Sequence, residues 1–90
     1  MATRVHVIVT GRVQGVFFRA TCAREARARG VAGWVRNRAD GAVEAVFEGA
    51  PGDLDALVAW CRAGPRGAWV NDVSSREEPA EGLRGFDIRG

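Results

Sequence analysis

An α+β sandwich, with helices on one face of a mostly antiparallel sheet, is predicted by three features of this sequence. Apolar residues alternate along residues 5–10 and 42–48, the period of a strand. They recur at helical spacing through Leu54, Leu57, Val58 and Cys61. Between two strand-like segments stands Asp40-Gly41, the dipeptide that favours a tight hairpin turn. A chain of 90 residues suffices for one modest core, so residues 1–90 are expected to form a single domain.

Each element has its own signal. Residues 5–10 are dense in β-branched side chains, with Val5, Val7 and Val9 on one face and His6, Ile8 and Thr10 on the other; Ile8 on the second face marks a central strand. Residues 20–29 are rich in Ala, Arg and Glu, which favour a helix, and Gly30 ends it. Gly33 opens a second strand over 34–37, and the Ala39-Asp40-Gly41 turn leads into a third over 42–48, with Val43, Ala45 and Phe47 on one face. Pro51 suits the start of a second helix, Asp53 and Asp55 suit its positive end, and Gly64-Pro65 closes it. Residues 69–74 read as a fourth strand, 75–84 as its ragged continuation and a loop, and 86–89 as a short terminal strand. The order β-α-β-β-α-β with right-handed crossovers gives the ferredoxin-like sandwich, both helices on one face. The antiparallel helices then bring Cys22 towards Cys61, where two reduced, buried thiols are expected.

Composition narrows the function. The sequence is 47% hydrophobic and 27% charged, ordinary for a folded domain. All 13 basic residues are arginine, spread from Arg4 to Arg89, and the net charge is only +2. That balance attracts a small anion but does not form a block for nucleic acid. The cysteines and the single histidine have no metal-ligand spacing, so neither metal nor cofactor is expected. The start of the chain lacks a secretory signal and no apolar run approaches a membrane span, so a cytoplasmic monomer is the expectation.

Familiar nucleophile and general-base constellations are missing: the one histidine lies in the first strand, no Ser or Cys has an evident base, and no carboxylate cluster stands out. One segment does stand out, Gly11-Arg12-Val13-Gln14-Gly15-Val16-Phe17-Phe18-Arg19, a glycine-bearing loop between a strand and a helix. Such a loop can aim several backbone N–H groups and the positive helix end at one anion, and Arg19 adds a planar fork for two phosphate oxygens. By spacing alone a structural reading stands equal to it: Gly15 permits a tight turn, Phe17 or Phe18 fills the core, and Arg19 is a solvated cation. The pattern is neither a dinucleotide-binding nor a P-loop fingerprint.

A second segment changes the balance. Gly33-Trp34-Val35-Arg36-Asn37-x-x-x-Gly41-x-Val43 with Gly49, taken together with the first loop, resembles the paired signature of the acylphosphatase family. The resemblance continues through Gly64-Pro65, Ala68-x-Val70-x-x-Val73 and Phe86-x-Ile88-Arg89, and departs only at Arg29 and Gly90. It implies a common-type small acylphosphatase acting on a small-molecule acyl phosphate without metal or cofactor. Gln14, Gly15, Val16, Phe17, Phe18 and Arg19 would form the phosphate-binding loop, and Arg19 and Asn37 would be the catalytic residues. The chemistry agrees with the residue types. A carboxylate leaving group with a pKa near about 4 needs no general acid, unlike an alcohol, about as basic as hydroxide, with water's pKa near about 15.7.

Two rival functions separate by residue. An RNA-binding domain of the same fold would carry aromatic and basic residues on strands one and three, where Ile8 and Val43 to Phe47 stand instead. A module handling carbamoyl phosphate inside a larger maturation enzyme would need further domains, which this 90-residue sequence does not contain.

Overall fold

The computed structural model of this chain describes residues 2–90. Its elements follow the predicted order: β1 Thr3–Arg12, α1 Phe18–Ala28, β2 Ala32–Asn37, β3 Val43–Gly49, α2 Pro51–Ala63, β4 Trp69–Glu78 and β5 Phe86–Arg89. The sheet order is β4-β1-β3-β2-β5, antiparallel throughout except for the parallel β2–β5 pair. This is the ferredoxin-like α+β arrangement with one added edge strand.

Register explains the two faces of the sheet. Val5 pairs with Phe47, Val7 with Ala45 and Val9 with Val43, so the apolar set of β1 meets the apolar set of β3. These side chains face the helices, where Phe18, Cys22 and Ala26 of α1 and Leu54, Leu57 and Cys61 of α2 complete the core. Leu54 and Leu57 are each 1% exposed, and burying a leucine contributes about 1.5–3 kcal/mol. Phe47 stacks on Phe86 of β5 at 5.7 Å, which fastens the short edge strand to the core. Cys22 and Cys61 are free, buried neighbours; a hydrogen bond with Cys61 and burial push the Cys22 thiol up.

Several boundaries differ from the sequence expectation, each for a physical reason. A β-bulge between Thr10 and Gly11 lets β1 continue to Arg12, opposite Trp69, so residues 11 and 12 belong to the sheet and not to the loop. Gly11 has a φ of 125°, and a Cβ there would stand 2.1 Å from the Trp69 carbonyl oxygen, so only glycine permits the bulge. Helix α1 starts at Phe18 and gives way at Arg29, whose N–H still reaches the Ala26 carbonyl. Strand β4 runs to Glu78 instead of fraying at residue 75, because it pairs with β1 as far as Arg4.

The face away from the helices holds charge, not loose polar groups. Arg4, 9% exposed, binds Glu48 and Glu78, each at 3.0 Å, and Glu81 at 3.2 Å. Burial pushes the Glu48 carboxyl up, but N–H groups of Glu81, Leu83 and Gly82 and the Arg4 guanidinium outweigh it and hold it below its usual range. His6 and Arg36 likewise grip Glu44, each at 2.6 Å, so the single histidine is a strand-surface residue, as its position suggests.

Candidate active site

The segment after β1 is built to hold a curved backbone. Val13, 1% exposed, anchors its start in the core, and Phe18, packed on Trp60 at 5.1 Å, anchors its end. Between them Gly15 has a φ of 74° and Phe17 a φ of 61°, both left-handed. Alternating hands along a short loop turns successive N–H groups to one side and forms a concave nest for an anion. Phe17 caps α1 without a side-chain hydrogen bond, and the first turn carries no acid. The first amides of α1 therefore keep their donors and the positive end of the helix unopposed.

Arg19 stands in that first turn, half-buried. Among the described residues its guanidinium makes one hydrogen bond, a long one from Nη1 to the Arg89 carbonyl at 3.4 Å, which leaves its other N–H groups available. Asn37 ends β2 on the helix side of the sheet, the face of Gly33 and Val35. Its Oδ1 is buried and has no hydrogen-bond partner among the described residues. A buried amide oxygen without a donor is costly, so this one marks a place for a ligand or water. One cleft of about 320 Å³ brings these groups together: Gly15, Arg19 and Asn37 share it with Val13, Phe17, Phe18 and Ile88.

The predicted site residues are thus gathered, though not all in the expected way. Gln14 does not point its amide into the cleft. Its Nε2 donates to the Arg38 carbonyl at 2.7 Å and the Ala42 carbonyl at 3.0 Å, tying the loop to the turn beyond Asn37. Val16 packs against the core, so it can offer only its backbone. Arg36 and Arg38, which flank Asn37, are both paired, Arg36 with Glu44 at 2.6 Å and Arg38 with Asp40 at 3.0 Å. The Ala42 N–H, above all, and Arg38 hold the Asp40 carboxyl below its usual range. Trp34 lies on the open face, its ring flanked by the guanidiniums of Arg89 at 4.7 Å and Arg36 at 5.8 Å.

Sequence reasoning missed Ile88 and the Arg89 carbonyl. Ile88 reaches the cleft and the Arg89 carbonyl reaches Arg19 because β5 pairs in parallel with β2, Val35 beside Ile88, a contact between segments more than fifty residues apart. No local pattern signals it. Among the described residues no cluster of His, Cys, Asp and Glu has the makings of a metal site, and no helix is long and apolar enough to cross a membrane.

Fold and cleft together place the chain in the class of small ferredoxin-like α+β domains with a binding cleft at the amino end of the first helix. Comparison with known proteins narrows this. The sequence profile of the Acylphosphatase family matches residues 5–88. An acylphosphatase from Trichormus variabilis is 56% identical over 86 residues, 96% of this chain and 85% of that protein. One from Haloquadratum walsbyi is 55% identical over 87 residues, 97% of this chain and 94% of that protein. The crystal structure of the acylphosphatase from Bacillus subtilis superposes with a TM-score of 0.95 at 41% identity, covering 100% of both chains. The chain belongs to the acylphosphatase family.

Proposed function

We propose a mechanism for the acylphosphatase function that family membership gives this chain. Acyl phosphates are hydrolysed to a carboxylate and inorganic phosphate. The backbone N–H groups of the Gln14–Phe18 segment, with the positive end of α1, cradle the phosphoryl oxygens, and the Arg19 guanidinium grips two of them. Asn37 accepts a hydrogen bond from a water through Oδ1 and fixes its direction for in-line attack on phosphorus. The water oxygen forms the new P–O bond, the bond to the acyl oxygen breaks, and the carboxylate departs with the electron pair. The water's proton passes to a phosphate oxygen of the substrate, so the step calls on no protein base.

The observation that carries this reading is the unpartnered Asn37 Oδ1 in the same cleft as Arg19. An amide neither takes nor gives a proton, so its value lies in aim. Charge build-up on the phosphoryl oxygens meets fixed donors, a form of stabilisation worth about 2.7–4 kcal/mol for one well-placed donor. The weakly basic leaving carboxylate needs no acid, in keeping with a cleft lined, among the described residues, by no carboxyl, thiol or imidazole.

The same reading takes residues 1–90 as one domain that works as a cytoplasmic monomer on small molecules, without cofactor or nucleic acid. The deciding experiment is hydrolysis of a synthetic acyl phosphate beside a phosphate monoester, each with and without a chelator. Chelator-insensitive turnover of the acyl phosphate alone is expected. Preference for the monoester, or loss of activity with the chelator, would overturn the mechanism.

A further inference from the structure

Among the described residues only three large apolar side chains are exposed: Phe17 at 82%, Trp69 at 72% and Ile88 at 44%. Two of the three, Phe17 and Ile88, line the cleft that holds Arg19 and Asn37. They come from different elements, the loop and the edge strand β5. Ile88 shares the helix side of the sheet with Phe86 by strand alternation, and the next residue's carbonyl accepts the Arg19 hydrogen bond. The apolar wall therefore adjoins the proposed anion cradle.

Phe17 carries a second oddity. It is the sole described non-glycine residue with a positive φ, 61°, a conformation bulky side chains rarely adopt. Gly or Asn would make the same turn with less strain, yet an aromatic ring stands there with most of its surface in water. Strain and exposed apolar surface at one position point to a contact made only when a ligand is bound. A phosphoryl group alone has no use for such a wall. A cleft of about 320 Å³ falls in the size range, about 300–1,000 Å³, that holds whole small organic molecules.

Resting on the acyl phosphate reading above, we propose that Phe17 and Ile88 form an acyl-group subsite that favours substrates with an extended apolar acyl chain over acetyl phosphate. The acyl chain stays on the leaving carboxylate and touches the wall alike before and during P–O cleavage. Such contacts lower KM and leave kcat little changed.

The test compares hexanoyl phosphate with acetyl phosphate, whose leaving carboxylates are closely similar in basicity, so that only the apolar chain differs. The native chain is expected to show kcat/KM at least about tenfold higher for hexanoyl phosphate, the scale a few methylenes in a partly open pocket can supply, with the difference in KM. Ile88→Ala, and separately Phe17→Asn, which suits the left-handed turn, should each shrink that ratio by at least about threefold. Equal kcat/KM for the two substrates, or a ratio that both variants leave intact, would overturn the subsite alone. No hydrolysis of either substrate by the native chain would instead overturn the underlying acyl phosphate reading, and the subsite with it.

Discussion

Gln14 donates a 2.7 Å hydrogen bond to the carbonyl of Arg38, the residue that follows Asn37, and a second one to Ala42 at 3.0 Å. The loop that would hold phosphate and the strand end that would hold water are thereby one rigid unit, although 24 residues separate the bonded partners. Among the described residues no hydrogen bond joins Arg19 to Asn37 Oδ1, so this tie helps set their relative position.

Gln14→Leu keeps the volume and removes both donors. Stability should fall by about 1–2 kcal/mol, the loss of two neutral hydrogen bonds in part-buried surroundings. Turnover should fall further, by about 10- to 100-fold, because misplacement by about 1 Å is that costly to in-line attack. Steady-state kinetics beside urea unfolding reads both. A variant destabilised but fully active would show that the tie serves the fold alone.

Arg19 contributes geometry as well as charge. Arg19→Ala should lower kcat/KM by about 10²- to 10⁴-fold, from two charge-assisted bonds of about 1.5–3 kcal/mol each. Arg19→Lys keeps the charge but not the fork, and should recover only a minor part of the loss. Full rescue by lysine would make Arg19 a source of potential and not a bidentate clamp.

The ion network on the open face predicts a pH dependence. Glu48 has a folded pKa below its unfolded value of about 4.3, and Glu44 is likewise lowered, burial pushing it up but bonds from His6 and Arg36 pulling it further down. The stabilisation is complete above that unfolded value and is lost as pH falls through the folded one, because the unfolded chain then binds more protons. Urea unfolding from pH 7 to 3 should show stability falling with acid below about pH 4.5, and Glu48→Gln should flatten the slope. An unchanged slope in Glu48→Gln would place the acid sensitivity elsewhere.

Legibility in the sequence followed the range of the interactions. The alternation of Val5, Val7 and Val9 and the helical spacing of Leu54, Leu57 and Cys61 are local, and they placed β1, β3 and α2 within a few residues. The second half of β4 was illegible because none of residues 74–78 is buried, Val73 being the last buried residue of the strand. What holds it is its pairing with β1 and the Arg4–Glu78 ion pair across 74 residues. Arg19 and Asn37 were legible only as a pair of motifs. The Gln14 strut and the arrival of Ile88 were not, since both depend on which strands become neighbours.

The central claim is that Asn37 aims a water and does not hold the phosphate. Asn37→Ala, with phosphate binding followed by calorimetry and acyl phosphate hydrolysis by kinetics, tests it most directly. The account predicts a Kd for inorganic phosphate within about threefold of the native value and a kcat lower by about 10²- to 10³-fold, the scale of one well-placed polar group. A folded Asn37→Ala variant that turns over acyl phosphate within a few-fold of the native rate, or that loses phosphate binding together with turnover, would contradict it.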